Sequence, residues 1–140
     1  MAPMTGDKVL MVQDRNTGKW GLPGGYAEPG ERSDQTARRE LWEETGIQAL
    51  GPLRRVRSGR SSALFKMSVR AGSHRSRVQR FKGRRDRGET KDYAYVSLNK
   101  RTRGGEFVVT DFSGKRKSVN PTSFRRGTVS SLRALSRRRR

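Results

Sequence analysis

The chain has 140 residues, room for one domain rather than two. Only 30% of the residues are hydrophobic and none is cysteine, which excludes a membrane-spanning protein, a disulfide scaffold, a thiol nucleophile and a thiolate metal site. Leu, Ile, Val and Phe number 25 of 140, below the level of roughly one-fifth at which highly charged chains tend to disorder, so order throughout is not expected.

Lys8 to Gln13 is a short apolar run that reads as a strand. Asp14 to Gly18 follows as a turn, because Asp and Asn bond their own backbone. Trp20 to Pro23 begins a second extended piece, broken by Gly24 and Gly25. Ser33 is placed to cap a helix that runs to about Thr45, with Asp34 in its first turn and Gly46 as its stop. Ala37 and Leu41, four apart, mark the buried stripe of that helix. Ala63 to Val69, Asp92 to Leu98 and Phe107 to Thr110 alternate as strands, and Ser73 to Gly88 reads as an Arg-rich loop. Thr128 is placed to cap a last helix that uses Val129, Leu132 and Leu135.

Glu40 faces Glu43 and Glu44 at separations of three and four, so three carboxylates crowd one helical turn. That turn is the last before Gly46, where the helix dipole favours cations. Two local rules are broken together, which marks the turn as functional. A divalent cation resolves both conflicts, and an all-oxygen set with few ligands suits Mg²⁺ or Mn²⁺. A solvated acidic helix face is the bland alternative, and the sequence upstream weighs against it.

From Gly25 the chain reads five residues, Glu31, seven residues, then Arg39-Glu40-Leu41-Trp42-Glu43-Glu44-Thr45-Gly46-Ile47. At every defined position this resembles the signature of the Nudix family, G-x5-E-x7-R-E-U-x-E-E-x-G-U, and Trp20-Gly21-Leu22-Pro23-Gly24 resembles its usual lead-in. The resemblance implies an α/β fold, an α/β/α sandwich with a mixed sheet. It also implies hydrolysis of a diphosphate linkage in a nucleoside diphosphate derivative by metal-assisted attack of water. Carried over by position, Glu40, Glu43 and Glu44 hold the metal together with the carbonyl of Gly24 or Gly25, and Glu31 with Arg39 locks loop to helix. The general base is a glutamate of the helix (Glu40 or Glu43) or one from a later loop, here Glu89. Family members usually have a strand ahead of Lys8–Gln13, and only Met1 to Asp7 remain for it. Beyond Gln48 no specificity motif of the family is visible. The expected organisation is one domain over residues 1–136 with an insert at about 73–88 and a basic tail at 137–140.

Residues 1–50 carry six basic and eight acidic side chains; residues 51–140 carry 27 and five, a net charge of +22. Such a polycation points to a polyanionic partner. Arg54, Arg55, Arg57 and Arg60 follow the helix, and Arg75, Arg77, Arg80, Lys82, Arg84, Arg85 and Arg87 fill the loop before Glu89. Arg54, Arg55, Arg84 and Arg85 are candidates to hold substrate phosphates or an RNA backbone. Phe65, Phe81, Tyr93 and Tyr95 are interleaved with them; one of these is placed to stack on a base, and core burial is the simpler role for each. His74 takes no functional role.

Expected partners are thus a nucleotide or capped-RNA substrate and a nucleic acid or other polyanion, with no membrane. The expected setting is intracellular, cytoplasmic or nuclear. The competing readings are a small-nucleotide hydrolase, a diphosphoinositol polyphosphate hydrolase, and a nucleic-acid-binding or packaging protein whose Nudix domain is incidental.

Overall fold

Residues 1–49, 51–58, 63–68, 90–111 and 114–137 are described by a computed structural model of the chain. The strands are β1 (Ala2–Thr5), β2 (Lys8–Asp14), β3 (Trp20–Gly21), β4 (Arg54–Ser58), β5 (Ala63–Ser68), β6 (Thr90–Arg101), β7 (Phe107–Asp111) and β8 (Arg116–Val119). They form one sheet in the order β4-β5-β1-β2-β6-β7-β8, with β3 alongside β2. Only β1 and β5 run parallel; the other named pairs are antiparallel. Helix α1 spans Ser33–Thr45, a 3₁₀ turn spans Pro121–Ser123, and helix α2 spans Thr128–Arg137.

Strand alternation divides the apolar residues into two layers. From β2, Leu10 and Val12 join Ala37, Leu41, Ile47, Phe65 and Tyr93 in the layer beneath α1. Val9 and Met11 point the other way and pack with Leu64, Val96, Val109, Leu132 and Leu135 beneath α2. A mixed sheet between two helices is the sandwich expected from the signature. Arg57 fastens α2 to its face by donating to the hydroxyls of Ser130 and Ser131, each at 2.8 Å.

β1 is present but short. Its pairing with β2 covers Met4 and Thr5, so Pro3 faces only β5 and its missing N–H breaks no bond to β2. β2 gives one side to β6 along its whole length. The other side is shared, with β1 at its start and β3 at its end.

Several boundaries differ from expectation. Ser33 is the first residue of α1 and Arg32 is its N-cap; Gln35 Oε1 reaches back to accept the Arg32 N–H at 2.9 Å. Thr128 likewise is the first residue of α2. The extended piece at Trp20 ends after Gly21, two residues before Pro23. β6 is twelve residues long, beginning before Asp92 and running past Leu98. The expected loop at 73–88, with His74 and Phe81, and the last three arginines of the tail lie outside the described residues. Among the described residues, no helix is long and apolar enough to cross a membrane.

Candidate functional site

α1 ends where its sequence stops it. Gly46 adopts the left-handed conformation (φ 74°) and its N–H closes on the Trp42 carbonyl at 2.9 Å. The buried side is anchored by Leu41 and by Thr45, whose hydroxyl donates to the Leu41 carbonyl at 2.6 Å. Glu40, Glu43 and Glu44 are thereby left around the final turns, with no basic residue in the last one.

Arg39 is the hub of the acidic cluster. Its Nε donates to Glu31 Oε2 at 2.8 Å and its Nη2 to Glu31 Oε1 at 3.1 Å, the fork-to-fork geometry of guanidinium and carboxylate. Nη1 reaches Glu40 Oε1 at 2.9 Å and Glu43 Oε2 at 3.0 Å, and Nη2 also donates to the Tyr26 carbonyl at 3.1 Å. Glu28 adds a looser ion pair at 3.7 Å. Glu31 further accepts from the Glu28 N–H at 3.0 Å and the Thr36 hydroxyl at 2.7 Å. These bonds, that to Arg39 first, lower its pKa to about 2. Two hydrogen bonds thus join Glu31, ahead of the helix, to Arg39 on it.

The glutamates occupy different surroundings. Glu43 has a half-exposed side chain (53%), whereas that of Glu40 is mostly covered (16%). Glu40 lies against Gly25, where a side chain would meet the Glu40 carboxylate. Burial raises the pKa of Glu40, against the opposing pull of Arg39. Glu44 is the most deeply set. Its Oε2 accepts the Gly24 N–H at 2.7 Å, its backbone carbonyl accepts from the Tyr93 hydroxyl at 2.8 Å, and burial lifts its carboxyl to about 7. The Glu40 charge adds to that rise, while Gly24 and the Arg125 guanidinium oppose it.

The structure thus brings together Glu31, Arg39, Glu40, Glu43, Glu44 and Gly24. Among the described residues no three acidic side chains form a ready-made cation cage, because Arg39 spans Glu40 and Glu43 while Gly24 holds Glu44. Arg54 and Arg55 sit on β4, an outer edge of the sheet, where Arg55 stacks over the Phe65 ring at 5.2 Å. No described contact joins either of them to the glutamates. Arg84, Arg85 and Glu89 lie outside the described residues, as do Arg60, Arg75, Arg77, Arg80, Lys82 and Arg87. Phe65 and Tyr93 are buried core residues, which leaves neither face open to a base.

Sequence reasoning missed Glu28, Tyr26 and Arg125. Glu28 and Tyr26 lie in the undefined part of the signature, where spacing gives no cue. Arg125 comes from the segment before α2, and only tertiary pairing brings it near.

A profile of the NUDIX domain family matches residues 1–107. "Nucleoside diphosphate-linked moiety X motif 6" of Mus musculus is 57% identical over 44 residues, which are 30% of this chain and 14% of that protein. "Putative 8-oxo-dGTP diphosphatase" of Bacillus subtilis (strain 168) is 27% identical over 140 residues, covering 94% of this chain and 88% of that one. A mutT/nudix family protein from Listeria innocua, solved by crystallography, superposes with a TM-score of 0.49 at 25% identity, over 70% of this chain and 75% of its own. The chain spans only a small part of the mouse relative's length. The family profile covers most of the sequence, including the whole signature from Gly25 to Ile47, and the chain belongs to the Nudix family.

Proposed function

We propose that this protein is a Mg²⁺- or Mn²⁺-dependent pyrophosphohydrolase that cleaves a diphosphate linkage in a nucleoside diphosphate derivative. The observation that carries the reading is the acidic end of α1 backed by the Glu31–Arg39 clasp. The donors suit such an ion. They are oxygen only, and the arrangement is open, which agrees with a cation that keeps several waters and shares substrate phosphates. In this reading Glu40, Glu43 and Glu44 hold the metal with the carbonyl of Gly24 or Gly25.

A divalent cation held there would supply charge neutralisation for the diphosphate and a more acidic water. The residues of the chain do the rest. Arg39 fixes the directions of Glu40 and Glu43, and the Gly24 N–H fixes Glu44. A carboxylate within hydrogen-bond reach takes the proton from water. The candidates are the helix glutamates and Glu89. No side-chain nucleophile is required, in keeping with a chain that lacks cysteine and has one histidine.

Within this class the excess of positive charge after residue 50 favours a polyanionic substrate such as the 5′ end or cap of an RNA. The test is a product-analysed panel with Mg²⁺ and with Mn²⁺: nucleoside triphosphates including 8-oxo-dGTP, dinucleoside polyphosphates, diphosphoinositol polyphosphates, and triphosphorylated and capped RNA. Cleavage of a phosphoanhydride bond in any of them supports the class. Preference for the RNAs, lost steeply between roughly 50 and 200 mM salt, supports the RNA reading. RNA binding with no cleavage in the whole panel replaces the enzyme with a nucleic-acid-binding protein.

A further inference from the structure

The short strand β3 has a free outer edge, and the chain uses it. Trp20 bridges Phe124 in parallel, and the Arg125 N–H donates to the Trp20 carbonyl at 2.7 Å. Phe124 and Trp20 are both buried in the layer beneath α2. The next residue along, Arg125, therefore turns to the opposite side of the sheet, level with Gly21. Gly21 pairs with Val12, whose side chain belongs to the α1 layer. A Cβ on Gly21 would stand 2.8 Å from Arg125 Cδ and 3.0 Å from its Nε, so the absent side chain is what gives Arg125 its path. Arg125 is thereby delivered to the side of the sheet that carries Gly24 and Glu44.

Its donors there are poorly used. Nε is buried and has no hydrogen-bond partner among the described residues. Nη2 approaches Asp14 Oδ2 only to 3.8 Å, beyond hydrogen-bond distance, and Asp14 Oδ1 already accepts the N–H groups of Asn16 and Thr17. A buried donor left open is costly and asks for an acceptor. Arg39 offers the contrast, with Nε, Nη1 and Nη2 all bonded to Glu31, Glu40, Glu43 or the Tyr26 carbonyl. A substrate with a charged diphosphate must approach a cluster of carboxylates, and Arg39 is already engaged with them.

We propose that Arg125 is a substrate-binding residue of this site, its guanidinium donating to phosphate oxygens of a diphosphate-containing substrate. The proposal rests on the diphosphate-hydrolase reading and names the chain's own contact to that substrate. A planar fork of N–H donors matches two phosphate oxygens, which a lysine ammonium does not. The Asp14 carboxylate holds the guanidinium loosely enough to be exchanged for an anion.

The test compares the full-length wild type with Arg125→Gln, Arg125→Lys, Gly21→Ala and the Gly21→Ala/Arg125→Gln double variant. Calorimetry reads binding of methylenediphosphonate, a non-hydrolysable diphosphate, in the presence of Mg²⁺. Kinetics read KM on whichever panel substrate the wild type cleaves. Loss of one or two charge-assisted hydrogen bonds predicts binding roughly 10- to 100-fold weaker and a higher KM in Arg125→Gln, with Arg125→Lys in between. Gly21→Ala displaces the same side chain and should reproduce the loss, and the double variant should be no worse than Arg125→Gln. Mg²⁺ affinity should hold or rise in Arg125→Gln, since a positive charge near Glu44 is gone; a collapsed site would lose metal and diphosphate together. Unchanged diphosphate binding and KM in Arg125→Gln overturn the role of Arg125 while leaving the hydrolase reading in place. A wild type that cleaves nothing and binds no methylenediphosphonate overturns that reading, and this inference with it.

Discussion

Gly25 and Glu40 are in such close approach that a methyl group on Gly25 would lie 2.6 Å from the Glu40 carboxyl carbon and from its Oε1. The obstacle is the far end of a flexible side chain rather than backbone. Gly25→Ala should therefore swing the Glu40 carboxylate aside at little cost to the fold, on the order of 1 kcal/mol or less. On the proposed role of Glu40 at the reacting centre, hydrolysis should fall at least about tenfold, since displacing a positioned group by an ångström is expensive in rate. Thermal melting and turnover measured on the same preparation check the pair of outcomes; full activity would remove Glu40 from the site.

Glu43→Gln keeps the size of the side chain and its hydrogen bonding to Arg39 while removing its charge. We expect turnover to drop by about two orders of magnitude or more, as for loss of an electrostatic or proton-transferring group. Binding of polyanions through the basic regions should be largely unaffected. Filter binding of RNA beside the hydrolysis assay separates the two, and wild-type turnover would dismiss Glu43.

Arg39→Met leaves Glu31, Glu40 and Glu43 without their shared counter-charge. Its side chain is partly exposed to solvent, so a lowered melting temperature is expected, smaller than the penalty of breaking a dry ion pair. If Glu40 and Glu43 hold the proposed cation, Mg²⁺ should restore part of the lost melting temperature by replacing the missing positive charge. Arg39→Lys should recover little: a point charge cannot satisfy Glu31 bidentately while reaching the helix glutamates.

Glu44 and Glu31 give opposite dependences on pH. The Glu44 pKa is raised from 4.5 to about 7, so its stabilising contribution is complete below 4.5 and is lost as pH rises through 7. The Glu31 pKa is lowered from 4.5 to about 2, so its contribution is present above 4.5 and lost as pH falls through 2. Through Glu44, metal-free protein should lose melting temperature from pH 5 to about pH 7. The buried Met1 ammonium, its pKa lowered from 8.0 to about 6 mainly by burial, opposes that fall above pH 6. Glu44→Gln should remove the falling part of the profile. Stabilisation by Mg²⁺ should grow over the same interval. A wild-type slope unchanged by Glu44→Gln would contradict the assignment.

Deleting residues 137–140 removes Arg137, the last residue of α2, and the arginines beyond it. Cleavage of small nucleotides should be unchanged, whereas RNA binding should become both weaker and less steeply salt-dependent. Turnover of a small nucleotide before and after the deletion is the measurement, and a large loss would place the tail in the active site.

The parts of the fold that were legible in the sequence are those whose burial imposes a period. β2 is apolar on both faces because both are covered, so it appears as the continuous run Val9 to Val12. α1 shows its stripe through Ala37 and Leu41 and its end through Gly46. The acidic turn was legible for another reason: its carboxylates contradict the helix that carries them. β4 and β8 carried no such signal. Each is an edge strand with one deeply buried apolar residue, Val56 or Val119, among exposed basic ones. Arg125 was illegible because its place depends on a pairing between residues about a hundred positions apart, Trp20 and Phe124.

Those two edge strands have a consequence for the behaviour of the protein in concentrated solution. β4 presents Arg54, Arg55 and Arg57 on one rim, and β8 presents Arg116 and Lys117 on the other, all exposed. An open rim invites a second copy to extend the ladder, and cations along it repel such a visitor. Any nucleic acid that neutralises these rims also disarms that guard, so clumping should track the ratio of polyanion to protein and peak near charge balance.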